Sequence, residues 1–204
     1  MLCTATQPAL NGLFNDFLPH KEILELCPES IYNTDIFTRV KYEHSGKLSE
    51  EQLAIRLNNH KQVLCIVNSR KTAKTIYDRL DYEGAFHLST LMVPAQRREV
   101  LKEIRKRLIA GATCRVVSTS LIEAGVDVDF PRVYRELTGL DSILQAAGRC
   151  NREGGRELDE SIVTVFKGET VAPQLFQPLI ACAEHVIEKY EKIDSKEAVK
   201  EYFT

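Results

Sequence analysis

The residues best suited to chemistry lie in Gln145-Ala146-Ala147-Gly148-Arg149-Cys150-Asn151-Arg152-Glu153-Gly154. On a helix, Gln145, Arg149 and Arg152 fall at i, i+4 and i+7 and share one face. An amide and two guanidiniums on one face suit anionic oxygens, phosphate above all. Gly148 allows close approach of another backbone or a ligand. Spacing alone serves equally well for a solvated helix end whose arginines pair with nearby carboxylates.

A second stretch runs from Val116 to Asp129: Val-Val-Ser-Thr-Ser-Leu-Ile-Glu-Ala-Gly-Val-Asp-Val-Asp. It reads as a strand entering three hydroxyl residues, then a turn with glycine and acids. Hydroxyls and amides at such a strand end can hold a phosphodiester backbone. They also cap helical turns, the simpler reading of this stretch taken alone. A third stretch, Leu2-Cys3-Thr4-Ala5-Thr6-Gln7-Pro8, is informative only in company with the others.

Other chemistries lack their parts. The only Gly-Lys pair, Gly46-Lys47, is followed by Leu48, so no phosphate loop of the GxxxxGK[ST] type is present. Asp159-Glu160 follows a Gly/Arg-rich loop rather than an apolar strand and is poorly placed to hold magnesium. Histidines 20, 44, 60, 87 and 185 are scattered, and no His-Asp pair suggests a metal nuclease. Of six cysteines, no two lie closer than 24 residues, which excludes a zinc knuckle. Cys65, Cys114 and Cys182 sit in apolar runs, as small hydrophobes do. Free thiols point to a reducing compartment, and the cytoplasm is the expected location. No metal site is expected on this chain.

The elements that must position these residues follow a β-α-β-α rhythm. Val63-Leu64-Cys65-Ile66-Val67 is a short apolar run typical of a buried parallel strand. A helix from Lys71 to Leu80 follows, then a strand at Ala85–Leu88 and a helix from Ala95 to Ala110 opened by Pro94. Cys114–Val117, Arg132–Tyr134 and Ile162–Phe166 supply further strands, with a helix from about Ser142. Ser49-Glu50-Glu51-Gln52 is a capping box opening a helix to about Asn59. Two helices close the chain, Leu175 to Tyr190 and Asp194 to Tyr202. The pattern predicts a mostly parallel sheet with helices on both faces and a C-terminal helical extension. The basic residues of the helix at 96–108 are expected to form its solvated outer face. With 204 residues, a net charge of −2, 44% hydrophobic and 27% charged residues, the composition is that of a globular protein. No apolar run is long enough to span a membrane.

Taken together and in order, these stretches resemble the second RecA-like lobe of a superfamily 2 helicase. Thr4-Ala5-Thr6 matches the "SAT" motif, Asn68-Ser69-Arg70 the position of motif IV, and Ser118 to Asp127 motif V. Gln145-x-x-Gly148-Arg149-x-x-Arg152 matches motif VI, QxxGRxxR. Within that superfamily, Leu121 to Phe130 and above all Arg149-Cys150-Asn151-Arg152-Glu153-Gly154 resemble the CRISPR-associated helicase-nuclease of type I interference systems. Members of that family unwind and degrade invader DNA marked by a guide-RNA surveillance complex. The resemblance runs from residue 2 to about 167.

It implies a division into the end of a first lobe and linker (1–34), a RecA-like lobe (35–168) and a helical extension (169–204). ATP and Mg2+ would be held mainly by a first lobe carrying the phosphate loop and Asp-Glu box, none of which this sequence contains. The chain therefore reads as a cut-out fragment or a subunit of a split protein, inactive by itself. Arg149 and Arg152 would act as arginine fingers, with Gln145 orienting them or touching nucleotide. Gly125 and Asp127 would face the same cleft, Asp127 accepting from the ribose or pairing with an arginine. Thr119, Ser69 and Arg70 would grip single-stranded DNA without reading sequence. Thr4, Ala5 and Thr6 would couple the lobes. Partners would be the first lobe, a His-Asp nuclease domain, DNA and the surveillance complex, with no membrane. A DNA-repair translocase lobe is the nearest alternative, and a non-catalytic interaction domain of the same fold is a third. Intact Gln145, Arg149 and Arg152 weigh against the third.

Overall fold

The computed structural model describes residues 38–123 and 125–203. Six strands form one sheet: β1 (Lys41–Lys47), β2 (Gln62–Ile66), β3 (Ala85–Leu88), β4 (Cys114–Ser118), β5 (Arg132–Glu136) and β6 (Ile162–Lys167). Their order is β1-β6-β5-β2-β4-β3, and every pairing is parallel. The helices are α1 (Glu50–Asn58), α2 (Arg70–Tyr77), α3 (Pro94–Ile109), α4 (Leu140–Ala147), α5 (Gln177–Lys189) and α6 (Lys196–Tyr202).

The apolar run around β2 is buried on both faces because its side chains alternate. Val63, Cys65 and Val67 pack with Ala73 and Ile76 of α2 and Leu53 and Leu57 of α1. Leu64 and Ile66 point the other way, to Leu101 and Ile104 of α3, Phe130, and Ala146 and Ala147 of α4. Leu64 is fully buried, so Leu64→Ala is expected to cost about 2–5 kcal/mol. The extension docks on this second side: Ala183, Val186, Ala198 and Tyr202 share a cluster with Leu140 and Ile143 of α4 and Val165 of β6.

Four expectations need correction. Strand β1, Lys-Tyr-Glu-His-Ser-Gly-Lys, was not expected, because an edge strand with mostly exposed side chains carries no apolar pattern. Helix α4 ends at Ala147, with Gly148 as its C-cap, so only Gln145 of the supposed helical trio is on the helix. Helix α6 begins at Lys196 and not at Asp194, capped by Ser195, whose hydroxyl accepts from Ala198 N. Cys182 is exposed, whereas Cys65, Cys114 and Cys150 are buried. The segment 1–34, including Thr4, Ala5 and Thr6, lies outside the described residues, as does Ala124.

Candidate functional site

The site is built where β4 leaves the sheet. Ser118 Oγ donates to the Thr119 carbonyl at 2.8 Å, and one 3-10 turn, Ser120–Ile122, follows. Fully buried Ile122 pins that turn to the core. Beyond it, Gly125 has φ +69, a left-handed conformation that glycine adopts without strain. The chain then reaches Phe130, which pairs with Cys150 just after α4.

Four arginines from outside the sheet hold the segment from Glu123 to Asp129. Arg149 Nη2 donates to the Glu123 carbonyl at 2.6 Å, and Arg105 Nε donates to the Asp127 carbonyl at 2.8 Å. Arg152 Nε lies 3.0 Å from Asp127 Oδ1, and Arg156 Nη1 lies 2.6 Å from Asp129 Oδ2. Asp127 is thus paired with Arg152. Gln145, half-buried one turn upstream, takes part in none of these contacts.

Local folding explains how non-helical arginines converge. After Gly148, the Arg149 and Cys150 amides donate to the carbonyls of Ala146 and Ala147 at 2.9 and 2.8 Å. Asn151 then takes φ +45, tolerated by asparagine better than by most residues. Its side-chain amide donates to the carbonyls of Arg39 and Arg156 and accepts from Arg156 N. Asp129 Oδ1 accepts the Arg152 amide at 2.7 Å, fixing the backbone from which Arg152 projects. Asn151 and Asp129 stood in the quoted stretches without a role, and Arg156 was not singled out from the sequence. The one available signal was an Asn between two arginines that must turn back on themselves.

The two central arginines differ electrostatically. Arg149 is 9% exposed, and its Nε has no hydrogen-bond partner among the described residues. Burial and then the like charge of Arg152 push its pKa down, against the pull of Asp127 and Glu123. An anion beside it would relieve both penalties. The Arg152 side chain is 45% exposed and its partner Asp127 79%, a surface pair worth roughly 0–1 kcal/mol. Such a pair is cheaply exchanged for a phosphate.

A second group lies at the carboxyl ends of β2 and β4. Val67 N donates to Ser118 O, which sets Asn68 and Ser69 beside Thr119. Thr119 is buried, and its Oγ1 has no partner among the described residues. Ser69 caps α2 by accepting from Thr72 N at 3.0 Å, so its oxygen is already engaged, and Arg70 is exposed. Of the basic residues on α3, Arg105 serves the Asp127 carbonyl and Arg107 pairs with Glu103. No cluster of potential metal ligands occurs among the described residues. Among them, no helix is long and apolar enough to cross a membrane.

Residues 59–155 match the family described as CRISPR-associated nuclease/helicase Cas3, C-terminal. The chain is 27% identical over 140 residues to the Cas3 nuclease/helicase of Methanothermobacter thermautotrophicus, a match covering 68% of this chain and 16% of that protein. A 50-residue stretch is 54% identical to the Cas3 of Haloferax volcanii, covering 24% of this chain and 5% of the relative. The chain thus spans less than a fifth of the curated relatives it matches. In fold it is similar to the crystal structure of T. fusca Cas3-ATP, with a TM-score of 0.66 at 16% identity, over 93% of this chain and 25% of that one.

Proposed function

We propose, from the match of residues 59–155 to the C-terminal family of the Cas3 nuclease/helicase, that this chain is the ATP- and DNA-engaging second lobe of an ATP-dependent DNA helicase. In this reading it unwinds target DNA for degradation in CRISPR interference. The observation that carries the reading is the convergence of Arg149 and Arg152 on the Glu123–Asp127 segment, with one buried guanidinium N–H unsatisfied. Two guanidiniums in a partly dry site fit the terminal phosphates of a nucleotide better than they fit each other.

ATP, bound with Mg2+ mainly on a first RecA-like lobe, supplies the transferring phosphoryl group. Arg152 exchanges Asp127 for the phosphoryl oxygens, whose negative charge its planar fork neutralises. Arg149 holds the adjacent position, its backbone fixed by the turn after α4. Gln145 orients the nucleotide, and Gly125 gives the segment the turn that brings Asp127 to Arg152. Thr119 and Arg70 grip the phosphodiester backbone at the carboxyl edge of the sheet without reading bases, and Ser69, its oxygen engaged as the α2 cap, has its hydroxyl proton to donate. Thr4, Ala5 and Thr6 link the motion of the two lobes. A His-Asp nuclease domain and a guide-RNA surveillance complex complete the assembly, in the cytoplasm.

The test compares this chain with the full two-lobed protein. The chain alone is expected to show no ATP turnover. Its DNA binding should be weak, sequence-blind and lost by ~200 mM salt, because half a backbone clamp neutralises few phosphates. The full protein should hydrolyse ATP in response to single-stranded DNA. Turnover by the purified chain alone, or base-specific binding that survives such salt, contradicts the reading.

A further inference from the structure

Strand β5 carries an arginine where its neighbours are apolar. Arg135 pairs in register with Ile66 and Val165. It shares the sheet face of Val133, which is packed among Leu64, Val116 and Val163. It is 2% exposed, with Glu123 and Glu136 each 6% exposed beside it. Burial pushes the Arg135 pKa down and both carboxylates up. A buried ion group of this kind stabilises little compared with an apolar replacement of the same volume, so its presence is weak evidence of a purely structural role.

Its contacts suggest another role. Arg135 Nε lies 2.9 Å from Glu123 Oε1, while Nη1 donates to Asn68 Oδ1 at 2.7 Å and to the Glu136 carbonyl at 2.8 Å. Asn68 N donates to Glu136 Oε2 at 2.7 Å, and its Nδ2 donates to the Leu137 carbonyl at 2.9 Å. One rigid fork therefore spans two strand ends. On one side, Glu123 offers its carbonyl to Arg149. On the other, Asn68 directly precedes Ser69, the cap of α2, and Arg70.

We infer that Arg135 is a positioning residue that couples the Arg149–Arg152 pair to Ser69 and Arg70, through Glu123 on one side and Asn68 on the other. The inference rests on the helicase reading above. When phosphate engages the unsatisfied Nε of Arg149, the change is passed through its Nη2 contact to Glu123 and along the Glu123–Arg135–Asn68 chain to the DNA-facing edge. Each link is a direct contact, the Glu123–Arg135 one an ion pair and the others hydrogen bonds, so the network is physically contiguous. A lysine cannot replace this arginine, because a single ammonium does not hold the two strand ends in a fixed planar geometry.

The experiment uses the full two-lobed protein and three variants: Asn68→Ala, Arg135→Lys and Arg152→Ala. Melting temperature, ATP turnover without DNA, and turnover at saturating single-stranded DNA are measured on each. Asn68→Ala leaves the buried Glu123–Arg135 pair whole and is expected to fold normally. Its DNA-free turnover should stay within about twofold of wild type, while stimulation by DNA falls roughly tenfold, inside the range of coupling between linked sites. Arg135→Lys should lose stimulation similarly wherever it folds; Asn68→Ala decides if it does not. Wild-type stimulation in folded Asn68→Ala overturns the coupling role, as does an equal loss of basal and stimulated turnover. If that happens while Arg152→Ala is inactive, the helicase reading stands without the coupling. Wild-type turnover in Arg152→Ala overturns both.

Discussion

Arg149 and Arg152 are three residues apart and bind the same segment, yet their environments are opposite. Arg149 is buried against a backbone carbonyl, with one N–H unsatisfied. Arg152 stands half in solvent, paired with a carboxylate that is itself mostly exposed. The first is held by structure that a ligand must adapt to; the second is held by a contact that a ligand can replace. In a site of this type, burial sets which arginine shapes the site and which one moves.

The contrast breaks most sharply at Arg149. In the full protein, Arg149→Ala should lower ATP turnover by roughly 10³-fold, the scale for a lost arginine finger. It should also destabilise the lobe by about 1–3 kcal/mol, since the Glu123 carbonyl loses its donor. Parallel turnover and denaturant titrations read both losses. A folded variant that keeps its stability but loses turnover would move Arg149 into the class of Arg152.

Gly125 sharpens the same comparison from the backbone side. A Cβ there meets nothing within 4 Å, so Gly125→Ala strains only the left-handed φ of +69. A cost of about 1 kcal/mol is expected, with turnover falling further than stability because Asp127 is displaced from Arg152. Unchanged turnover would detach that turn from the site.

Thr119 offers the complementary case of an unsatisfied buried group at the other edge. Thr119→Val removes a hydroxyl with no partner at nearly constant shape, so melting temperature should stay level or rise. DNA affinity of the full protein should fall by a few-fold, since the proposed backbone contact is lost. A fall in stability with unchanged affinity would assign the hydroxyl to structure.

The smallest effect lies far from the site. Glu201 of α6 accepts from Lys189 and Tyr190 and meets His185, and these partners hold its pKa at about 2. A carboxylate held below its unfolded value stabilises the fold above that unfolded value, near 4.5, and loses the contribution as pH falls toward 2. Glu201→Gln should therefore flatten the acid limb of the melting curve slightly and leave turnover at neutral pH unchanged. An unaltered acid limb would remove this network from the stability of the α5–α6 pair.

How far the sequence revealed these features depended on periodicity. The β2 and β4 runs, the capping box at Ser49 and the Pro94 start of α3 were legible, because burial on two faces and capping chemistry leave local patterns. Strand β1 was not, since an edge strand needs few apolar residues. In the site, residue types were legible and geometry was not. Helical spacing suggested that Gln145, Arg149 and Arg152 share a face, but the helix stops at Ala147 and a left-handed Asn151 turns the chain back. Arg135 was invisible for a related reason: a charge inside a β-strand looks like a solvent-facing position until the sheet is assembled around it.

The central claim is that Arg152 acts on phosphate and not on the fold. Arg152→Ala in the full two-lobed protein, with melting temperature and ATP turnover taken on one sample, tests it most directly. The Arg152–Asp127 pair is exposed, so melting should shift by no more than the ~1 kcal/mol of a surface pair. Turnover should fall by roughly 10³-fold or more, and Arg152→Lys should restore little of it. Wild-type turnover per folded molecule, with a lowered melting temperature, would show that Arg152 serves only to hold Asp127 and would contradict the account.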